Sequence, residues 1–174
     1  MQDVIFVIIG KQEMKGGQGS WTNISVVDRL DADPDHVIVT SNERRAFRSD
    51  FYKMNIMTGK KKLLAIGFVP KNAKGDRVYC TYRDQEGYPI ATLVDESLDR
   101  VIYTYNKDTQ DWSEHVRFTC QQPSFTPIAA TNKGWLVTGS KFSPSGELIE
   151  YNDTNALYLY DPETKEFSEK LYQD

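Results

Sequence analysis

The sequence predicts an all-β fold, and three observations carry that expectation. No window holds apolar residues at i, i+3, i+4 spacing over a helical length. The apolar segments are instead short, rich in β-branched and aromatic residues, and bounded by Gly, Pro, Asn and Asp. One aromatic hairpin pattern also occurs three times, at residues 51–64, 102–115 and 157–170.

Written beneath one another, "FYKMNIMTGKKKLL", "IYTYNKDTQDWSEH" and "LYLYDPETKEFSEK" match at Thr58, Thr109 and Thr164, which are 51 and 55 residues apart. Each copy reads aromatic strand, Asn or Asp, two residues, Thr, one residue, second strand. Asn55, Asn106 and Asp161 are placed to accept backbone N–H groups across the turn. The residue after Thr, which is Gly59, Gln110 or Lys165, is placed for positive φ.

Along the chain, the run "VIFVII" at 4–9, continuing to "GKQ", reads as the remnant strand of a preceding sheet, and "KGGQGSW" at 15–21 as a flexible hairpin loop. Strands follow at 23–30, 36–42, 77–83, 90–94, 126–131 and 134–140, each upstream of one of the hairpins. About four short antiparallel strands therefore fill each unit of roughly 50 residues. In "LYLYD", "VIYTY" and "VIFVII" both strand faces are apolar or nearly so, which calls for sheets covered on both sides.

Blades of a β-propeller meet that condition. The expectation is a partial propeller: about three four-stranded antiparallel blades at 23–66, 67–124 and 125–174, plus the N-terminal remnant at 1–22, in a single domain fragment spanning 1–174. Three blades cannot close a ring that usually has four to eight, so the chain reads as a piece of a larger protein. Its uncovered blade faces are expected to favour self-association.

A net charge of −4 with 26% charged and 12% aromatic residues excludes a disordered chain and a nucleic-acid-binding surface on average. The longest apolar run has six residues, against the roughly 20 a membrane helix needs. The N-terminus lacks a basic segment and a small-residue cleavage site. A cytoplasmic location follows if Met1 is the natural start, and a periplasmic one stays open if it is not. Cys80 and Cys120 match no metal-ligand spacing and read as two thiols, and two histidines are too few for a zinc site. No metal or cofactor is expected.

The run "VVDRLDADPDHVIVTSNERRAFRSDFYKMNIMTGKKKLL" at 26–64 resembles the N-terminal propeller of the prolyl oligopeptidase family of serine peptidases, especially acylaminoacyl-peptidase-like and dipeptidyl-peptidase-like bacterial members. Residues 125–174, with "FTPIAAT" leading into "LYLYDPET" and a final "LYQD", resemble a later blade of the same domain. Together the two stretches cover about half the chain. The resemblance implies a propeller that admits short peptides to a C-terminal α/β-hydrolase domain, which nothing here matches. Aromatic hairpins of this type also occur in TolB-like binding propellers and oligogalacturonate-lyase-like propellers, which supply the alternatives.

No catalytic group is assigned. "GQGSW" and "FSPSGE" fail the G-x-S-x-G spacing, His115 lies on a hairpin strand, and His36 belongs to the "DADPDH" turn. That turn, at 31–36, lacks the Gly and Glu of a calcium loop and reads as Asx-type turn chemistry. "GKKK" at 59–62 is a hairpin tip. Trp112 and Trp135 read as core between blades, and Trp21 as lying in or beside a strand. The candidate site is the connection "NERRAFRSD" at 42–50, where Glu43, Arg44, Arg45 and Arg48 could contact a substrate terminus or a neighbouring domain. Its competing reading is a solvated loop or a salt-bridged one.

Overall fold

A computed structural model describes residues 9–12, 20–46, 48–72, 75–119, 122–152 and 156–173. The described residues are all-β, with no helix. The first sheet holds β1 (Ile9–Gln12), β2 (Ser20–Arg29), β3 (His36–Arg45), β4 (Arg48–Asn55) and β5 (Lys61–Ala65) in chain order. The second holds β6 (Arg77–Arg83), β7 (Pro89–Glu96), β8 (Asp99–Asn106) and β9 (Asp111–Phe118), again in chain order.

The third sheet starts with β10 (Phe125–Thr131) and β11 (Gly134–Gly139). A two-stranded insertion, β12 (Lys141–Phe142) with β13 (Leu148–Glu150), then precedes β14 (Ala156–Tyr160) and β15 (Tyr172–Gln173), which complete that sheet. Four-stranded antiparallel sheets that recur along the chain in this way are consistent with partial propeller blades. By contacts the chain divides into two units, residues 1–69 with 86–88 and 106–111, and residues 70–85 with 89–105 and 112–174.

The N-terminal extra strand finds its partner inside the first sheet. Ile9 to Gln12 pair with residues 20–23 of β2, while β3 takes residues 24–29, so one ten-residue strand serves two partners in succession. Residues 4–8 and 15–19, which carry the rest of the expected remnant strand and the glycine-rich loop, lie outside the described residues, as does Cys120.

All three repeated turns have one geometry. Asn55 Oδ1 accepts the Met57 and Thr58 N–H groups at 3.1 and 2.9 Å, Asn106 Oδ1 those of Asp108 and Thr109, and Asp161 Oδ1 those of Glu163 and Thr164. The next residue is left-handed each time, with φ of 68° at Gly59, 55° at Gln110 and 61° at Lys165. Only Gly59 avoids a Cβ clash there, which costs other residues roughly 1–2 kcal/mol. Gln110→Gly is therefore expected to raise stability by up to about 1 kcal/mol. A urea midpoint equal to or below the parent's would show that the turn tolerates Gln without strain.

Burial on both strand faces is present in one of the strands for which the pattern called, "VIYTY" of β8, and also in β3, for which it did not. Ile38 and Val39 in β3 are both fully buried, and so are Val101 and Ile102 in β8. In β14 Ala156, Tyr158 and Tyr160 are buried, whereas Leu157 and Leu159 on the other face are half-buried. "LYLYD" is thus closed on one face and partly open on the other.

The core of the second unit lies between its two sheets. Ala91, Leu93, Ile102 and Phe118 of the second sheet meet Phe125, Trp135, Val137, Ala156, Tyr158 and Tyr160 of the third. Burying each of the larger side chains contributes about 1.5–3 kcal/mol. Trp135 takes its expected place in this core, whereas Trp112 is half-buried outside it, its ring tilted 55° against Tyr105 of the adjacent strand at 5.1 Å.

Candidate functional site

The segment 42–50 is a hairpin more than a loop. β3 runs to Arg45, β4 starts at Arg48, and these two residues pair across the turn. A register shift between Ser41 and Arg45 bulges the strand, and Asn42 secures the bulge by accepting the Asn23 N–H at 2.7 Å and donating to the Ala46 carbonyl.

Strand alternation puts Arg48, Asp50 and Tyr52 on one face of β4, and Asp50 is fully buried there. Its carboxylate accepts the Gly67 N–H at 2.9 Å, Arg48 Nη2–H at 3.2 Å and Arg44 Nη1–H at 3.3 Å. Arg48 Nε also stands 2.7 Å from Oδ1, off the line of a hydrogen bond. Gly67 is required for this arrangement, because a Cβ there would fall 2.0 Å from the Ser49 carbonyl oxygen. A buried carboxylate needs this many donors to offset its lost hydration.

Glu43 is held by an ion pair to Lys61, whose ammonium also stands 5.2 Å from the centre of the Tyr52 ring. Desolvation first, and the Glu43 carboxylate second, push the Tyr52 phenol up to about 12. Arg45 is exposed, and the Arg44 side chain is 44% exposed beyond its contact with Asp50.

The four residues singled out in the sequence are therefore brought to one hairpin, but three of them serve it internally. Glu43 pairs with Lys61, while Arg44 and Arg48 share Asp50. Four cations, Arg44, Arg45, Arg48 and Lys61, stand against two carboxylates, Glu43 and Asp50, so the hairpin's outward surplus is positive. It can take a carboxylate and has no free acid for an amine. Asp50, the residue that organises the cluster, was not among the candidates, although its position two residues from Arg48 on a strand places the pair on one face.

The "DADPDH" turn closes through Asp33, whose backbone N–H donates to the Leu30 carbonyl and whose carboxylate takes His36 Nδ1 at 2.9 Å and Lys53 at 2.5 Å. Those two partners, Lys53 first, hold the Asp33 carboxyl below its usual range. In "FSPSGE" the Ser143 hydroxyl accepts the Glu147 N–H at 3.0 Å and lies 2.8 Å from the Ser145 hydroxyl. Its serines therefore close a turn.

His115 sits between the two sheets of the second unit, with Nε2 2.7 Å from the Tyr160 hydroxyl and its ring 5.4 Å from that of Trp135. Burial, with a smaller contribution from the Lys165 ammonium, lowers its pKa to about 4. An unfolded chain takes up this proton near the ordinary 6.5, so stability is fully present above that pH and is lost as the pH falls from 6.5 towards 4. Discounted for the partial exposure of the ring, the loss between pH 7 and 5 is expected to be about 1 kcal/mol. Urea unfolding at the two pH values checks it, and His115→Gln should remove that share of the dependence; an unchanged pH response in the variant would refute it.

Arg117 of β9 ties the second sheet together by donating to Glu96 at 2.7 Å, Asp99 at 3.1 Å and Glu114 at 2.6 Å. The Glu96 carboxylate also accepts the Tyr103 hydroxyl. Among the described residues no group of three or more His, Cys, Asp and Glu side chains is disposed to hold a metal. In comparisons with known proteins, no family model, no curated protein and no solved structure matches this chain.

Proposed function

We propose that this chain is a gating and positioning module of propeller type from a prolyl-oligopeptidase-type serine peptidase, without a catalytic group of its own, that presents short peptides to a hydrolase domain of the same parent protein. The observation that supports the propeller part is the turn at Asn55, Asn106 and Asp161, repeated with one hydrogen-bond pattern and one left-handed residue in three successive sheets. The resemblance of residues 26–64 and 125–174 supports the peptidase part. Within this reading Arg44 and Arg45 contact a carboxylate of the peptide or of the hydrolase domain, since the hairpin offers surplus positive charge.

Labelling with a fluorophosphonate probe tests the proposal. The parent protein should label at one serine and cleave short chromogenic peptides, whereas residues 1–174 alone should do neither. A parent without a reactive serine overturns the peptidase reading and leaves a binding propeller of the TolB-like kind.

A further inference from the structure

The third sheet departs from the repeat at one place. In the second sheet β7 and β8 are joined by Ser97 and Leu98 alone; in the third, the connection from β11 to β14 spans residues 140–155 and carries the β12–β13 hairpin. An insertion on a rigid scaffold is where binding groups concentrate. This one supplies Phe142 and the turn at 143–146, and with the sheets behind it encloses a cleft of about 240 Å³.

Aromatic rings line the cleft together with a similar share of polar groups, Gln122, Ser143 and Ser145 among them. Phe125 is the centre of these rings, with ring centroids 5.3 Å from Phe118, 6.1 Å from Phe142, 4.9 Å from Tyr160 and 5.1 Å from Phe167. Two cationic side chains also line the cleft, Arg117 and Lys165. The first is committed to three carboxylates. Lys165 makes no ion pair among the described residues, and its backbone holds the left-handed conformation that Gly59 fills at the same point of the first turn.

We propose that this cleft binds an aryl carboxylate, with the ring against the half-buried Phe142 and Phe167 and the carboxylate paired with the Lys165 ammonium. An apolar cavity of about 150 Å³ suffices for a benzene ring, so the available volume leaves room for a short arm and the acid group. A free arylalkanoic acid and the C-terminal aromatic residue of a peptide offer this same chemistry. The site is independent of the peptidase reading, which can fail without affecting it.

Calorimetric titration with 3-phenylpropionate, its neutral amide, and acetyl-Ala-Ala-Phe with a free C-terminus tests the assignment. The acid should bind with a dissociation constant around 1 mM, as for a ligand of this size, and the amide roughly fivefold more weakly, the upper end for one exposed ion pair. Lys165→Met should weaken the acid by that factor and leave the amide unchanged, while Lys165→Arg should restore the acid. A tighter peptide would name a chain terminus as the natural ligand, and a tighter free acid a small molecule; either supports the site. Equal affinity for acid and amide, indifference to Lys165→Met, or no binding at about 10 mM overturns it.

Discussion

Phe125→Ala is expected to destabilise the second unit by about 3–5 kcal/mol, the largest effect of any single core truncation there. Phe125 opens β10, is 3% exposed, and touches four other aromatic rings drawn from β9, the inserted hairpin, β14 and the final hairpin. Truncation removes the transfer energy of the ring, leaves a cavity whose walls belong to two sheets, and deletes aromatic pairs worth about 0.5–1.5 kcal/mol each. Neighbours cannot collapse into the gap easily, because Gly139, opposite Phe125 in the pairing, closely approaches the Ser124 carbonyl. Phe125→Leu, which keeps most of the volume, should cost less than about 1.5 kcal/mol. Urea unfolding followed by near-ultraviolet circular dichroism measures both, and a loss below 1 kcal/mol for alanine would mean that the two sheets are held mainly elsewhere.

Asp50→Leu is expected to cost about 3–5 kcal/mol in the first unit, for an electrostatic reason. Arg48 has a side chain only 10% exposed, and without Asp50 its charge is left partly desolvated with no carboxylate beside it. The Gly67 N–H loses its acceptor at the same time. Adding Arg48→Met to Asp50→Leu should recover part of the loss, since replacing both members of a buried pair by apolar groups is often close to neutral. Recovery stays incomplete because the Gly67 N–H remains unpaired. A double-mutant cycle reads the coupling directly, and a single-variant loss under about 1 kcal/mol would show that the pair is solvated despite its depth.

How much of this was legible in the sequence depends on how local the cause is. The three hairpins were readable because Asn55, Asn106 and Asp161 act on N–H groups two and three residues ahead, and because the left-handed position follows from that turn even where Gln110 and Lys165 occupy it. The core strand β8 was readable for a similar reason, since adjacent residues that are both apolar, such as Val101 and Ile102, require cover on two faces. The strands of the insertion were not, because two or three residues are too few to show alternation.

The candidate site was half legible. Its composition drew attention to the arginines, but whether a guanidinium faces solvent or a buried acid depends on a segment far along the chain. Gly67 meets Asp50 from 17 residues away, and that contact turns Arg48 inward. The partner of the N-terminal strand was missed for a comparable reason: β2 is long enough to pair twice, which its apolar pattern does not reveal.

The connection of residues 140–155 also bears on the order of folding. β7 and β8 close across two residues, whereas β11 and β14 must meet across sixteen, an added loop entropy of about 2 kcal/mol. Aromatic hairpins built on one pattern could each offer a strand to the wrong neighbour, and unequal closure times separate them. The second sheet is therefore expected to form first and to serve as the template on which β14 docks. Pulsed hydrogen exchange would register this as earlier protection of the Leu93 and Ile102 amides than of Leu157 and Leu159.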